Sequence, residues 1–384
     1  MKSKKKKIAI DARFASDRSG LGRYARKLLE YVLKADEKFD FVVIVNKGET
    51  KYVDFGYNNY SIIEVPYTHY SFNEQIGYWW FLNRQKFDLV HFTNFNHPIM
   101  YRGKFVVTIH DLTLMFFPGR VRRFWLGSAF VQWAYRLTMK SAVANSTKVL
   151  AITKFTKKDV MKYLGAKDEK VEVIYEASDE KIQLSTDKNF IKKVKEKFGL
   201  SKPFYFFLSN LRIHKNVERM VKAFEIIKDQ GLDMQLLIVG KPDPRYPEAL
   251  LSIENSKYKN DIVRPGYVPD NEVAVFYTEA VAFVYPTLYE GFGLPGLEAM
   301  SCGLPVIASE ASCLPEVLGE GVLYFDPYDP NEIAGAMRKI YEDKELRQKL
   351  IIAGHKQYQK YSWEKMGKEI VEMYGRILSQ GGQT

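Results

Sequence analysis

Short apolar runs recur along the whole chain, each followed by a longer stretch of mixed polarity, and this pattern constrains the fold more than any other feature. Candidate strands fall at Lys7–Ile10, Phe41–Val45, Leu89–Phe92, Phe105–Ile109, Val149–Ile152 and Val171–Ile174. They resume at Phe204–Leu208, Gln235–Val239, Ile262–Arg264, Ala282–Tyr285, Pro305–Ala308 and Val322–Phe325. Most are apolar almost throughout, as parallel strands buried on both faces are. Amphipathic stretches such as Gly22–Leu33 and Val217–Asp229 lie between them. A strand–helix alternation that runs twice predicts two doubly wound α/β domains facing each other. A chain of 384 residues also exceeds what one core ordinarily organises.

The seam falls in the polar segment near Glu176–Ser201, which follows neither period. The expected division is a first domain over 1–175, and a linker over 176–200 whose charged helix, Ile191–Phe198, leads into the second set of strands. A second domain over 201–362 and a final segment over 363–384 complete it. Trp363–Leu378 reads as an amphipathic helix that returns to pack on the first domain.

No apolar run approaches the roughly 20 residues that span a bilayer. The basic start, MKSKKKKIAIDA, has too short an apolar core for a signal peptide and reads as a basic tag on the first strand. Cys302 and Cys313 fit neither a metal-ligand spacing nor a disulfide framework, so a reduced, cytoplasmic setting is expected. Residues 1–175 carry 30 Lys and Arg against 16 Asp and Glu, whereas 176–384 carry 27 against 30. The basic half suggests an anionic partner there: anionic lipid, a phosphate-bearing acceptor or nucleic acid.

The strongest local signal is Tyr289-Glu290-Gly291-Phe292-Gly293-Leu294-Pro295-Gly296-Leu297-Glu298-Ala299-Met300, which follows the candidate strand Ala282–Tyr285. Pro295 suits the first turn of a helix, and Gly303 then Pro305 suit its end. The N-terminus of such a helix offers unpaired N–H groups and partial positive charge. Gly291 and Gly293 let the backbone approach a diphosphate or a sugar hydroxyl closely. Glu290 ahead of the helix and Glu298 inside it suit vicinal diols, because each carboxylate oxygen accepts from one hydroxyl.

YEGFGLPGLEAMSCGLPVIAS resembles the donor-site signature of the retaining glycosyltransferases of family 4, whose two-Rossmann architecture is called GT-B. Other segments match in the same order. Gly20-Leu21-Gly22-Arg23-Tyr24 looks like the family's GxGRY element, which implies a donor-side role for Gly20 and Gly22 and an acceptor-side role for Arg23. Thr108-Ile109-His110-Asp111 is similar to TxHD, whose histidine lies at the reaction centre, so His110 is expected to act on the sugar or the acceptor hydroxyl. Asp111 is placed on the acceptor side.

Ser209–Asn216 resembles the loop whose lysine reaches the donor diphosphate, which implies that role for Lys215. The family often carries an arginine where this chain has Asn210, and Arg212 is the candidate substitute. Gly266-Tyr267-Val268-Pro269 looks like the segment that lies against the nucleotide base, where main-chain contacts read guanine or uracil alike. Thr287 offers a hydroxyl or serves the turn. Glu74-Gln75 recurs in relatives that resemble mannosyl- and rhamnosyltransferases, which puts Glu74 among the acceptor-side candidates. The resemblance therefore gives His110, Glu290 and Lys215 as catalytic. Donor contacts are expected from Gly291, Phe292, Gly293, Leu294 and Glu298 as well.

The chain has no D-x-D motif, so no metal and no cofactor are expected. Charge on the leaving group would be met by Lys215, Arg212 and the helix N-terminus. The resemblance implies retention, with GDP-mannose ranked ahead of a UDP-hexose, and a saccharide or lipid-linked saccharide as acceptor. An epimerase and a phosphorylase are the alternative enzymes, though a phosphorylase needs a much longer chain. A basic nucleic-acid-binding protein is the non-enzymatic alternative, and it leaves the carboxylates unexplained. The aromatic, basic stretch 116–136 is either a surface that touches a membrane at its inner face or a helix whose aromatics pack inward.

Overall fold

The computed structural model describes residues 5–35, 38–118, 125–178, 182 and 184–379, with the backbone alone for 125–129. Residues 1–4 of the basic start lie outside the described residues, as do parts of the linker and of the 116–136 stretch. The chain forms two compact units. The first comprises Met1–Leu112, Ala129–Glu176 and Ser362–Thr384, the second Thr113–Ser128 and Ala177–Tyr361.

The first unit is built on seven parallel strands: β1 (Lys7–Asp11), β2 (Asp40–Asn46), β3 (Tyr60–Val65), β4 (Leu89–Phe92), β5 (Phe105–Ile109), β6 (Lys148–Ala151) and β7 (Val171–Val173). Their order is β3-β2-β1-β4-β5-β6-β7. β3 was not among the expected strands. It is the edge strand, and its residues Tyr60–Glu64 stay partly exposed, so YSIIEV carries neither a continuous apolar run nor a clean alternation.

The second unit has six: β8 (Phe204–Leu208), β9 (Gln235–Val239), β10 (Ile262–Gly266), β11 (Ala282–Tyr285), β12 (Val306–Ser309) and β13 (Val322–Phe325), in the order β10-β9-β8-β11-β12-β13. The strand order reverses between β1 and β4 in the first unit and between β8 and β11 in the second. Open α/β sheets receive ligands outside the carboxyl ends of their strands at such reversals.

Two segments cross the expected division. Thr113–Ser128 groups with the second unit, because Phe116 and Phe117 pack on Tyr289 with ring centroids 5.3 and 6.3 Å away. The Tyr246 hydroxyl also donates to the Phe117 carbonyl at 3.4 Å.

The helix Trp363–Ser379 belongs to the first unit and packs on the helix Gly20–Ala35. Its glycine is required there. A Cβ on Gly367 would stand 2.7 Å from the Tyr31 carbonyl oxygen, so only a bare backbone lets the helices meet this closely. Trp363, Met366, Ile370 and Met373 bury its apolar stripe completely, at roughly 1.5–3 kcal/mol for each fully buried large side chain.

Candidate functional site

In the second unit the groups of interest lie on the loops after β8 and β11, the two strands that flank the reversal. The chain leaves β8 into a single 3₁₀ turn, Ile213–Lys215, followed by Asn216 in the left-handed region at φ 58°. Asparagine tolerates that conformation better than most residues. Asn216 is buried, and its Nδ2 donates to the carbonyls of Pro286 (2.9 Å) and Pro327 (2.8 Å). The His214 carbonyl accepts from the Leu288 N–H (2.7 Å) and the Thr287 hydroxyl (3.0 Å). Thr287 is fully buried, so its hydroxyl serves the turn. These bonds fix the lysine loop against the glutamate loop.

Lys215 Nζ then lies 2.5 Å from Glu290 Oε1, with both side chains almost nine-tenths buried. Glu290 is held at its backbone too, because its N–H donates to Ser312 Oγ at 3.0 Å. Ser312 has φ 52°, a conformation that serine rarely adopts. The helix Leu294–Ser301 begins here, with Gly293 at φ 94° as its N-cap and Pro295 in its first turn. A Cβ on Gly293 would come within 2.7 Å of Leu314 Cδ2. Gly291 and Phe292 are buried beside it, while Leu294 is partly exposed. Glu298 is buried on the inner face and accepts from the Tyr277 hydroxyl at 3.2 Å.

Arg212 is 40% exposed in its side chain and stands 3.5 Å from Asp243 Oδ2, a carboxylate that Arg245 already grips at 2.8 and 2.5 Å. Arg212 can therefore leave that contact for a ligand at little cost. Val268 is buried, and Tyr267 is exposed beside it. Gly266 takes φ 78°, which turns the chain out of β10.

One buried group in this unit escaped the sequence reading. The Tyr285 hydroxyl, at the end of β11, is fully buried and has no hydrogen-bond partner among the described residues. Burial raises its pKa well above the ordinary value, and the nearby charge of Glu290 adds to that. An orphaned buried hydroxyl costs on the order of 1–3 kcal/mol. Here it adjoins the carboxylate held by Lys215. Tyrosine in a strand looks like core, and only the fold shows its hydroxyl unmet.

In the first unit His110 follows β5. Its Nε2 lies 3.0 Å from the Thr93 carbonyl, which can only accept, so Nε2 carries the hydrogen and Nδ1 of the neutral ring is an acceptor. Burial lowers the pKa of His110, which favours that neutral ring. The Tyr24 ring meets it edge-on at 4.5 Å. A buried chain continues behind it: Tyr24 Oη to Thr108 Oγ1 (3.1 Å), Thr108 Oγ1 to His91 Nε2 (2.8 Å) and His91 Nδ1 to Tyr374 Oη (2.5 Å). Burial takes His91 down to about 3.

Asp111 and Arg23 are both half-buried, and both act electrostatically on Glu176. Burial pushes the Glu176 carboxyl up to about 8, against the pull of Arg23. Glu176 was read only as the start of a linker.

Two of the expected residues are engaged within the first unit's own structure. Glu74 is 1% exposed and turned inward. Its Oε1 accepts from Arg13 Nη2 at 2.9 Å and its Oε2 from the Tyr70 N–H at 2.8 Å, so this carboxylate holds the loop onto β1. Arg13 also grips Asp11 and lies 4.0 Å from the centre of the Tyr78 ring. A Cβ on Gly22 would sit 1.9 Å from the Asp17 carbonyl oxygen, so its glycine is demanded by the chain's own loop. Gly20 is exposed at the start of its helix. The structure thus places Gly20, Gly22, Arg23, Glu74, His110 and Asp111 in the first unit and the other predicted site residues in the second.

Among the described residues, no group of three or more His, Cys, Asp and Glu side chains is arranged to hold a metal ion.

The family model Glycosyl transferases group 1 matches residues 187–357, and Glycosyltransferase Family 4 matches residues 18–181. The serotype-specific mannosyltransferase WbdA of Escherichia coli is 27% identical over 242 residues, 62% of this chain and 29% of that protein. The O-antigen chain mannosyltransferase RfbU of Salmonella typhimurium is 29% identical over 250 residues, 64% and 63% respectively. The chain thus spans less than two thirds of the length of either relative. Among solved structures, the sucrose-phosphate synthase of Thermosynechococcus elongatus superposes with a TM-score of 0.75 at 19% identity, over 98% of this chain and all of that one. The two sheets are of GT-B type. The chain belongs to the group 1 glycosyltransferases of family 4.

Proposed function

We propose that this chain transfers a hexose, mannose before others, from a nucleotide-sugar donor to a saccharide or lipid-linked saccharide acceptor. Transfer proceeds with retention of configuration, and neither a metal nor another cofactor takes part. The observation that carries the reading is the Lys215–Glu290 pair at the start of the helix Leu294–Ser301. It joins a cation for a diphosphate, a helix N-terminus of the same sign and a carboxylate for sugar hydroxyls. Mannose and GDP-mannose are preferred because the relatives named above are mannosyltransferases.

In this reading the bond from the sugar's anomeric carbon to the diphosphate breaks as the bond to the acceptor oxygen forms on the same face. The departing phosphate takes the acceptor's proton. Lys215, Arg212 and the helix N-terminus meet the charge that develops on the diphosphate. Glu290 and Glu298 accept hydroxyls of the sugar and ribose. His110 accepts a hydroxyl through Nδ1, the nitrogen left open by its bond to Thr93.

The ion pair has a measurable consequence. A diphosphate must draw Lys215 away from Glu290, so Glu290→Gln releases the lysine. That variant should bind GDP or UDP several-fold more tightly than the parent while losing most of its turnover with the full donor. The deciding experiment is a thermal-shift screen with GDP-mannose, UDP-glucose, UDP-GlcNAc, GDP and UDP, with and without EDTA. A donor at 100 times its Kd adds about 2.7 kcal/mol of stability. Stabilisation by GDP-mannose that survives EDTA and disappears in Lys215→Ala supports the reading. A preference for UDP-glucose moves the donor to the UDP series. A response abolished by EDTA removes the metal-free mechanism, and silence with every nucleotide removes the transferase reading.

A further inference from the structure

The first unit carries a second feature that the transferase reading does not use. Its elements after β3 and β4 and its long helix expose large apolar side chains that a water-facing surface ordinarily avoids. Phe72 is 85% exposed, and Ile76 and Trp80 follow at four-residue spacing at 67% and 50%. Met100, 62% exposed, adjoins them, because the neighbouring Trp79 Nε1 donates to its carbonyl at 3.2 Å. On the helix Trp125–Asn145, Phe130, Trp133 and Leu137 form one stripe, with the first two rings 5.7 Å apart. Phe95 joins the two sets, with Tyr70 6.3 Å to one side and Tyr135 5.0 Å to the other.

The segments that bear this face carry mainly one sign of charge, while Asp17 and Asp111 act on Tyr70 from neighbouring loops. Residues 70–86, 94–104 and 130–145 contain a single acid, Glu74, which is buried on Arg13. The same segments expose Arg84, Lys86, Arg102, Lys104, Arg136 and Lys140. The Arg84 guanidinium lies 3.5 Å from the centre of the Trp80 ring, so a cation and an indole are presented together. Indoles favour the boundary between water and acyl chains, and long basic side chains reach from there to headgroup phosphates.

We propose that this face docks the first unit on an anionic lipid bilayer, with the Phe72–Trp80 and Phe130–Leu137 stripes entering the headgroup region and the basic residues meeting lipid phosphates. The charge pattern chooses this occupant. A second copy of the same chain would bring the same six cations against one another, and a neutral apolar partner would leave them unmatched. Among the described residues no helix is long and apolar enough to cross a membrane, so the contact is a surface one. Within the stretch 116–136 the face takes in Phe130, Trp133 and Arg136, whereas Phe116 and Phe117 pack within the second unit, and Phe72, Ile76 and Trp80 add to it from outside that stretch. The proposal does not rest on the donor or the reaction.

The test is flotation of the full chain with phosphatidylglycerol–phosphatidylcholine vesicles and with phosphatidylcholine alone. Tryptophan quenching by brominated acyl chains gives a second readout. Binding to the anionic vesicles only, weakened by salt and by about fivefold for each basic residue replaced by glutamine, is the expected result. The double variant Phe72→Ser, Trp80→Ser should lose at least ten-fold in vesicle affinity and part of the quenching. Its circular dichroism and nucleotide-induced thermal shift should stay unchanged, because both side chains are exposed. Equal binding to neutral vesicles, undiminished binding by the double variant, or a parent dimer that the double variant turns into a monomer without vesicle binding would each overturn the proposal. Failure here with an intact nucleotide response leaves the transferase reading standing, and the reverse result separates them equally well.

Discussion

The two units share a parallel, doubly wound sheet but fill its interior with different chemistry. The first buries charge and imidazole near the carboxyl ends of its strands: Asp11 at the end of β1 and Arg13 after it, Glu74 against them, His91 in β4, His97, His110 and Glu176. The second buries aromatic rings in mid-strand and on the helix Asp270–Glu279. Phe206 meets Phe276, Tyr277 and Phe283 at 5.7, 5.1 and 5.6 Å, and the ionisable groups Lys215, Glu290 and Glu298 gather at one helix start. A core of rings tolerates small displacements, whereas a buried ion pair that loses one partner leaves an uncompensated charge. The first unit is therefore the one whose stability should follow point changes and pH most steeply. The second should follow ligand.

The most direct way to break this comparison is Arg13→Leu. It leaves Asp11 and Glu74 facing each other in the core, and losing one partner of such a group costs about 3–5 kcal/mol. Amide exchange should accelerate in β1–β3 and stay unchanged in β8, β9 and β11. Equal acceleration in both units would show that they do not respond separately.

Acid should separate the units next. Burial holds His91 at about 3 and His97 at about 4, and it lowers His110 as well, so these three are neutral when folded. Each folded pKa lies below the ordinary 6.5, so the stability they contribute is present above 6.5 and is lost as pH falls towards the folded values. The loss is about 1.4 kcal/mol for each histidine per pH unit below 6.5. The second unit holds one comparable group, His214 at about 3. Exchange protection measured at pH 7 and pH 5.5 should fall further in β4–β6 than in β8–β12.

Glu176 sharpens the comparison from the alkaline side. Its folded pKa of about 8 lies above the ordinary 4.5, so its contribution is full below 4.5 and is lost as pH rises through 8. Glu176→Gln should flatten the decline of the first unit's stability between pH 5 and pH 8, a difference on the order of a few kcal/mol at the upper end. An unchanged pH profile would mean that this carboxyl is ionised in the folded chain.

The smallest effect is expected from Tyr285→Phe in the second unit. Removing a hydroxyl that makes no well-formed hydrogen bond among the described residues should change stability by less than about 1 kcal/mol. Its position beside Glu290 makes kcat the informative readout. A fall in kcat with KM unchanged would mean that the hydroxyl turns to the carboxylate or the sugar once Lys215 engages the diphosphate.

What could be read from the amino acids follows from locality. Phe204–Leu208 and Ala282–Tyr285 announce themselves because a strand buried on both faces is apolar at every position. The helix start at Gly293-Leu294-Pro295 is legible because proline and left-handed glycine act within a few residues. The inward turn of Glu74 depends on Arg13, 61 positions away, and nothing around Glu74 signals it. The strap at 113–118 leaves the first unit because Tyr289 and His214 receive its rings, partners far along the chain. Ser312 gives no local cue to its left-handed backbone, which places its hydroxyl on the Glu290 N–H.

The helix Trp363–Ser379 has a further consequence, for the order in which the chain can finish folding. Its Tyr374 closes the hydrogen-bonded relay that runs through His91 and Thr108 to Tyr24, beside His110, and its Gly367 seats it on the helix that begins at Gly20. Every described strand has left the ribosome before this helix does. The second unit can close as soon as Tyr361 has emerged. The first, although synthesised first, lacks the Tyr374 bond to His91 and the Gly367 seat on the Gly20 helix until this helix arrives. The relay through His91 is therefore completed only by a residue 283 positions further along the chain.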